Sequence, residues 1–312
     1  MRLNKKLGLL VGGLVFAAVS HAGPVQVNGN SQFKPTGKGW GELDNVASAN
    51  SDGQAGGAAN KGTTNNLTLH TGNPMTGPIK MYYIWYGTAW DAPSQSLLTT
   101  WGNAIGGSPY FNINTTYYNH SNVHVSNSVT LAGQTSVGYT YGTNLTDANI
   151  QQIVADAINA GKVPSDTSAV YMVLTDKTVG ESSGFCTQYC GWHTHGTING
   201  ADIKYAFVGN AETQCASACG ATSPSVNSLP GADSMASIMS HELEEAVTDP
   251  QLNAWYSSFT GNENGDNCAW NFGTTSTASN GAKYNQTMGG KNFLIQQNWV
   301  IASTQKCLQH YP

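Results

Sequence analysis

The chain has 312 residues, 13 of them basic and 18 acidic, with a net charge of −5 at pH 7 and only 10% charged residues, against about 25% in an ordinary soluble protein. This acidic balance argues against nucleic acid or anionic lipid as the main partner, because both are bound through basic patches. No P-loop or dinucleotide fingerprint occurs, which sets aside nucleotide-binding chemistry.

Residues 1–22 read as a cleavable export signal. Arg2, Lys5 and Lys6 precede an apolar run over 7–19, and Ser20-His21-Ala22 supplies small residues at the cleavage positions, so the mature chain is expected to begin at Gly23. The run falls short of the roughly 20 apolar residues a spanning helix needs. The expected setting is therefore secreted and extracellular, periplasm or cell wall included, with no membrane contact after signal cleavage. The mature chain keeps 10 basic against 18 acidic residues, a net of −8. Residues 23–73, rich in Gly, Asn, Ser and Ala, have little hydrophobic periodicity and read as a low-complexity, flexible leader.

A folded domain is expected over 74–312. It opens at 78–87 with a dense aromatic and β-branched segment predicted to be a buried, central strand. A short helix is predicted over 94–104, a half-exposed strand over 122–131, and a helix over 146–160 capped by Thr146 or Asp147. Further strands are predicted at 170–174 and 203–208. A helix over 235–247 is expected to be capped by Asp233 or Ser234 and stopped by Pro250. The alternation predicts an α/β (α+β) fold: a single mixed-sheet domain with flanking helices, zincin-like at its last helix and stabilised by disulfides.

That helix carries the chemistry. Met235, Met239, Leu243, Ala246 and Val247 share one arc, expected to be the buried one, while His241 and Glu245 stand one turn apart on a neighbouring face. His241-Glu242-Leu243-Glu244-Glu245 is a His-Glu-x-x-Glu variant of the His-Glu-x-x-His zincin helix, which supplies two zinc ligands and a general base. Zinc also accepts carboxylate oxygen, so His241 and Glu245 are candidate ligands and Glu242 the candidate catalytic base. A further ligand is expected from Glu263 or Asp266, 18 and 21 residues beyond Glu245, with Asp249 as a rival on the same helix face. Four of the chain's seven glutamates are Glu242, Glu244, Glu245 and Glu263. Zinc is the candidate cofactor, and calcium in a Glu263/Asp266 loop is the alternative.

All six cysteines, Cys186, Cys190, Cys215, Cys219, Cys268 and Cys307, lie in the second half of the chain, and an even number in an exported protein points to three disulfides. Six cysteines allow 15 connectivities. Close spacing favours local bridges within Cys186/Cys190 and Cys215/Cys219, leaving Cys268 to Cys307. His193 and His195 beside Cys190 form a second constellation. Disulfides are favoured there over structural zinc by the compartment, and either histidine is a candidate distal ligand or transition-state donor.

Several spaced motifs together resemble the EXORDIUM, or phosphate-induced protein 1, family: the strand from Gly77 to Gly87, Phe-Cys-x-x-x-Cys-Gly-x-His at 185–193, Tyr205 to Asn210 running into Gln214-Cys215-x-x-x-Cys219, Thr248-Asp249-Pro250 to Asn253-Ala254-Trp255-Tyr256, and a final cysteine. The resemblance covers roughly 77–307 and implies an exported life, as for apoplastic plant members linked to cell expansion. It does not carry the metal chemistry of the helix. The short basic N-terminus has a bacterial look. Two functions follow as expectations: a secreted zinc-dependent hydrolase acting on an extracellular peptide, or a non-catalytic protein binding a cell-wall polysaccharide or surface partner through aromatics such as Trp85, Trp90, Trp192 and Trp255. Oligomeric state is left open.

Overall fold

The aromatic segment after Gly77 forms β1 (Ile79–Tyr86), with seven of its eight residues buried, as expected of a strand covered on both faces. Four more strands complete its sheet in this computed structural model, which describes residues 25–26, 33–34, 38, 66–220 and 224–312. They are β2 (Val129–Val137), β3 (Ala169–Thr175), β4 (Gly191–Ile198) and β5 (Ala201–Val208), in the order β2-β1-β3-β5-β4. All run parallel except β4, the antiparallel edge. The export signal and most of the expected leader lie outside the described residues.

The helices are α1 (Ala92–Ala104), α2 (Asp147–Asn159) and α3 (Pro230–Thr248). Asp91 caps α1 by accepting from the Ser94 N–H at 2.8 Å. Thr146 caps α2 in a reciprocal pairing with Asn149, which satisfies donors that the first turn leaves without helical partners. Between β4 and β5, Asn199 and Gly200 both have positive φ, 52° and 79°. This two-residue turn matches the strand twist and fixes the register, placing His193 opposite Ala206.

Several expectations are corrected. The half-exposed strand is displaced from 122–131 to Val129–Val137, because its parallel register against β1 begins at Ile79↔Val129. Helix α3 begins at Pro230 rather than 235, since proline at the first turn forfeits no helical hydrogen bond. Asp233 thus lies inside the first turn, where its carboxylate accepts from the Asn227 N–H at 2.9 Å. The whole circumference of α3 is buried from Gly231 to Thr248, not one arc, because β4 and β5, α1, the 3-10 turn Phe111–Thr116 and the strand Lys291–Phe293 all pack on it. Order also starts before 74: Leu67 is buried, and Thr68–Leu69 pairs with Trp255–Tyr256.

The two expected local disulfides do not form. Cys186 joins Cys215 and Cys190 joins Cys219, while Cys268 joins Cys307 as expected. Two bridges taken in the same order thus lace segment 186–190 to segment 215–219. Of the aromatics considered for surface binding, Trp85, Trp192 and Trp255 belong to the core, and Trp90 packs against it. Among the described residues no helix is long and apolar enough to cross a membrane.

Candidate metal centre

Three elements meet at the C-terminal half of α3: the helix itself, the start of β4, and the loop 262–266. From the helix, His241 and Glu245 stack one turn apart, with His241 Nε2 at 3.0 Å from Glu245 Oε1. From the loop, Asp266 brings Oδ1 to 3.7 Å from His241 Nε2, closing a first triad of His241, Glu245 and Asp266. From β4, His193 brings Nε2 to 3.1 Å from Glu263 Oε1 and 3.7 Å from Glu245 Oε2. Those three residues form a second triad. Sequence spacing left Glu263 and Asp266 as competitors; the fold uses one in each triad.

Hydrogen bonds dock and brace the loop. Asp266 N–H donates to Glu245 Oε1 at 3.0 Å, Glu263 N–H to Asp266 Oδ2 at 3.0 Å, and Asn264 Nδ2 to the Glu244 carbonyl at 3.2 Å. Two glycines make the approach possible, and residue-type reasoning overlooked both. A Cβ at Gly265 would stand 2.9 Å from the His241 ring and 3.0 Å from Glu245 Oε1, and one at Gly191 would stand 2.9 Å from Glu242 Oε1.

The remaining candidates separate clearly. Asp249 caps the end of α3, and its Oδ1 accepts from the Asn253 and Ala254 N–H groups at 2.6 and 2.5 Å. It borders the second triad. Glu242 is fully buried and close enough to Glu263 to raise its proton affinity, yet belongs to neither triad. His195 is not brought in: two residues along β4, it pairs with Asp202 at 2.6 Å and stays partly exposed. Glu244, also fully buried, turns to the opposite flank, where its Oε2 accepts from Asn298 Nδ2 at 2.6 Å.

Burial governs the electrostatics. It pushes Glu263 well above the usual carboxylate range, helped by the neighbouring Glu245, Asp249, Asp266 and Glu242. It carries Asp249 up to about 7 against the pull of the Ala254 and Asn253 amides. Burial also drives His193 down to about 4, leaving a neutral imidazole. Glu245 is the exception: burial raises it, but His241, His193 and the Asp266 N–H together hold it below its ordinary value. Among the described residues, the ion-pair partners of Glu245 and Glu263 are His193 and His241, with no lysine or arginine beside them. So much negative charge taken out of water requires either protons or a cation.

A divalent ion fits. Two ligands each about 2.1 Å from a tetrahedral zinc stand about 3.4 Å apart. The separations here, 3.0 and 3.7 Å in the first triad and 3.1 and 3.7 Å in the second, bracket that value. Imidazole with carboxylates is a nitrogen–oxygen donor set suited to zinc and less to calcium, which prefers six or more oxygens.

The phosphate-induced protein 1 conserved region matches residues 67–310. The chain belongs to that family. It is 31% identical over 277 residues to Protein EXORDIUM-like 5 of Arabidopsis thaliana, covering 75% of each chain. Its identity to Protein EXORDIUM-like 3 of the same plant is 29% over 271 residues, 75% of this chain and 80% of the relative. Protein PHOSPHATE-INDUCED 1 of Nicotiana tabacum is 29% identical over 221 residues, 61% of this chain and 67% of the relative. No solved structure matches the chain. The family region begins at 67, where the described fold also takes hold, and takes in α3, β4 and the 262–266 loop.

Proposed function

We propose that this family member is an exported metal-dependent hydrolase of amide bonds, with an extracellular peptide as substrate. His241, Glu245 and Asp266 hold the ion, and Glu242 is the general base. The observation that carries the reading is the convergence of that triad, with a buried carboxylate, Glu242, next to His241 in the helix and near Glu263 of the adjoining triad. An ion held by these residues would supply Lewis acidity and make an attacking water more acidic, toward a pKa of about 7. Glu242 takes the proton of the attacking water and passes it to the leaving amine, while burial keeps bulk water from competing. The export signal expected from the sequence and the three disulfides support an oxidising, extracellular setting.

Closure of the site favours a second reading. Among the described residues, His193, His241, Glu242, Glu245 and Glu263 are at most 2% exposed. Cavities lined by Trp85 and Gln95, by Thr115 and Ile301, and by Gln151 and Ile198 lie elsewhere. Structural ions sit in closed sites, whereas catalytic ions keep an open position. On this reading the ion staples a non-catalytic extracellular protein that holds a polysaccharide or surface partner.

The deciding experiment pairs elemental analysis with Glu242→Gln. The hydrolase reading expects zinc in the purified protein, cleavage of some member of a peptide library, and loss of that cleavage by at least about 100-fold in Glu242→Gln with metal content unchanged. Zinc present without cleavage of any peptide overturns the hydrolase in favour of the staple. Absence of any bound metal sinks both.

A further inference from the structure

The carboxylate of Glu245 faces two ways. Oε1 lies toward His241 at 3.0 Å, while Oε2 lies toward His193 at 3.7 Å. The two histidines come from different elements, α3 and the edge strand β4, and each has its own second carboxylate, Asp266 and Glu263. Glu245 Oε2 is fully buried and has no hydrogen-bond partner, and neither does His193 Nδ1 or Asp249 Oδ2. Uncompensated polar atoms at such depth are costly, and Glu245 Oε2 is the one that faces His193 Nε2.

We infer that the centre is dinuclear, with Glu245 bridging two divalent ions: one held by His241 and Asp266, the second by His193 and Glu263 with Asp249 beside it. This rests on the reading that His241, Glu245 and Asp266 bind the first ion, and adds a site that reading does not need. A single ion in the first triad leaves the second with Glu263 and His193 packed around an unsatisfied Glu245 oxygen. A second ion gives Glu245 Oε2, Glu263 and His193 Nε2 a common partner. Carboxylate-bridged pairs of this kind sit about 3.5–4 Å apart, a spacing that the two oxygens of one carboxylate serve naturally. Glu242, close to Glu263, stands on the side of the second ion.

The test uses the full purified protein, stripped with chelator and titrated with zinc, with bound metal counted by elemental analysis. Two zinc ions per chain are expected. His193→Ala should retain one and Asp266→Asn should retain one, while Glu245→Gln should fall below one. Manganese reconstitution should give an exchange-coupled spin signal that becomes an uncoupled one in His193→Ala. Glu263→Gln, nearly the same shape, guards against a variant that fails to fold and should likewise retain one ion. One zinc per chain, unchanged in His193→Ala and Glu263→Gln, overturns the bridge and leaves the first site standing. No zinc at all overturns the first site as well.

Discussion

Gly265 carries no side chain at the point where the 262–266 loop presses against His241 and Glu245. Gly265→Ala is therefore expected to push the loop off both ligands and weaken zinc binding by about 10–100-fold, the usual cost of disturbing the shell behind a ligand; competition against a chromophoric chelator measures it. Asp176 offers a second test at this scale, away from the metal. Burial raises its pKa, but the Thr178 hydroxyl, the Ala89 and Thr178 amides and the Tyr139 hydroxyl together hold it below the usual carboxylate value. A depressed folded pKa gives stability that is present above the unfolded value of 3.8 and lost as pH falls through the folded one. Asp176→Asn should thus destabilise by about 1–3 kcal/mol at pH 7, with the difference from the parent shrinking below pH 4 in urea titrations. His241, Glu242, Glu245, Glu263 and Asp266 stood out as candidates because histidine and carboxylates at one-turn spacing are rare in a chain so poor in charge. Gly191 and Gly265 were not, since what matters at each is an atom that is missing and a neighbour far away in sequence.

Among elements, α2 stands on local signals. Its Thr146 hydroxyl accepts from the Asn149 N–H at 3.2 Å, and Asn149 Oδ1 accepts from the Thr146 N–H at 3.0 Å. Thr146→Ala should cost about 1 kcal/mol, read as a shift of the urea midpoint at constant slope. The position of α2 was visible in sequence for that reason: cap and apolar stripe lie within one segment. Helix α3 behaves differently. Its Pro230 start overrode the more familiar Asp233 and Ser234 caps, and its buried polar face depends on partners arriving from β4 and from 262–266. Strand β2 was displaced in the same way, because a parallel strand takes its limits from its neighbour and alternation alone does not mark where pairing begins.

For the molecule as a whole, the two laced disulfides and the candidate metal centre lie in the same region. Cys190 ends the loop that leads into β4, two residues before Trp192 and three before His193, and its bridge to Cys219 spans 29 residues. Replacing Cys190 and Cys219 together by Ser should cost about 2–4 kcal/mol, and should weaken zinc binding through His193 more than through His241; calorimetric melting and the two-site zinc titration would show both. Metal removal by chelator should lower the melting temperature, with recovery that depends on zinc concentration.

The sequence by itself determined the alternation of strands and helices, the export signal as an expectation, the family, and the identity of the residues able to hold an ion. These follow from local periodicity, charge scarcity and spaced motifs, all written along one dimension. Tertiary structure alone decided which cysteine meets which, that His193 joins the centre while His195 turns to Asp202, and that Glu245 offers one oxygen to each of two triads. The physical reason is that each of these depends on which faces of separate elements are brought together. A strand places alternate residues on one side, but only the α3 packing against β4 and the bridge-bound loops select the histidine that reaches the helix.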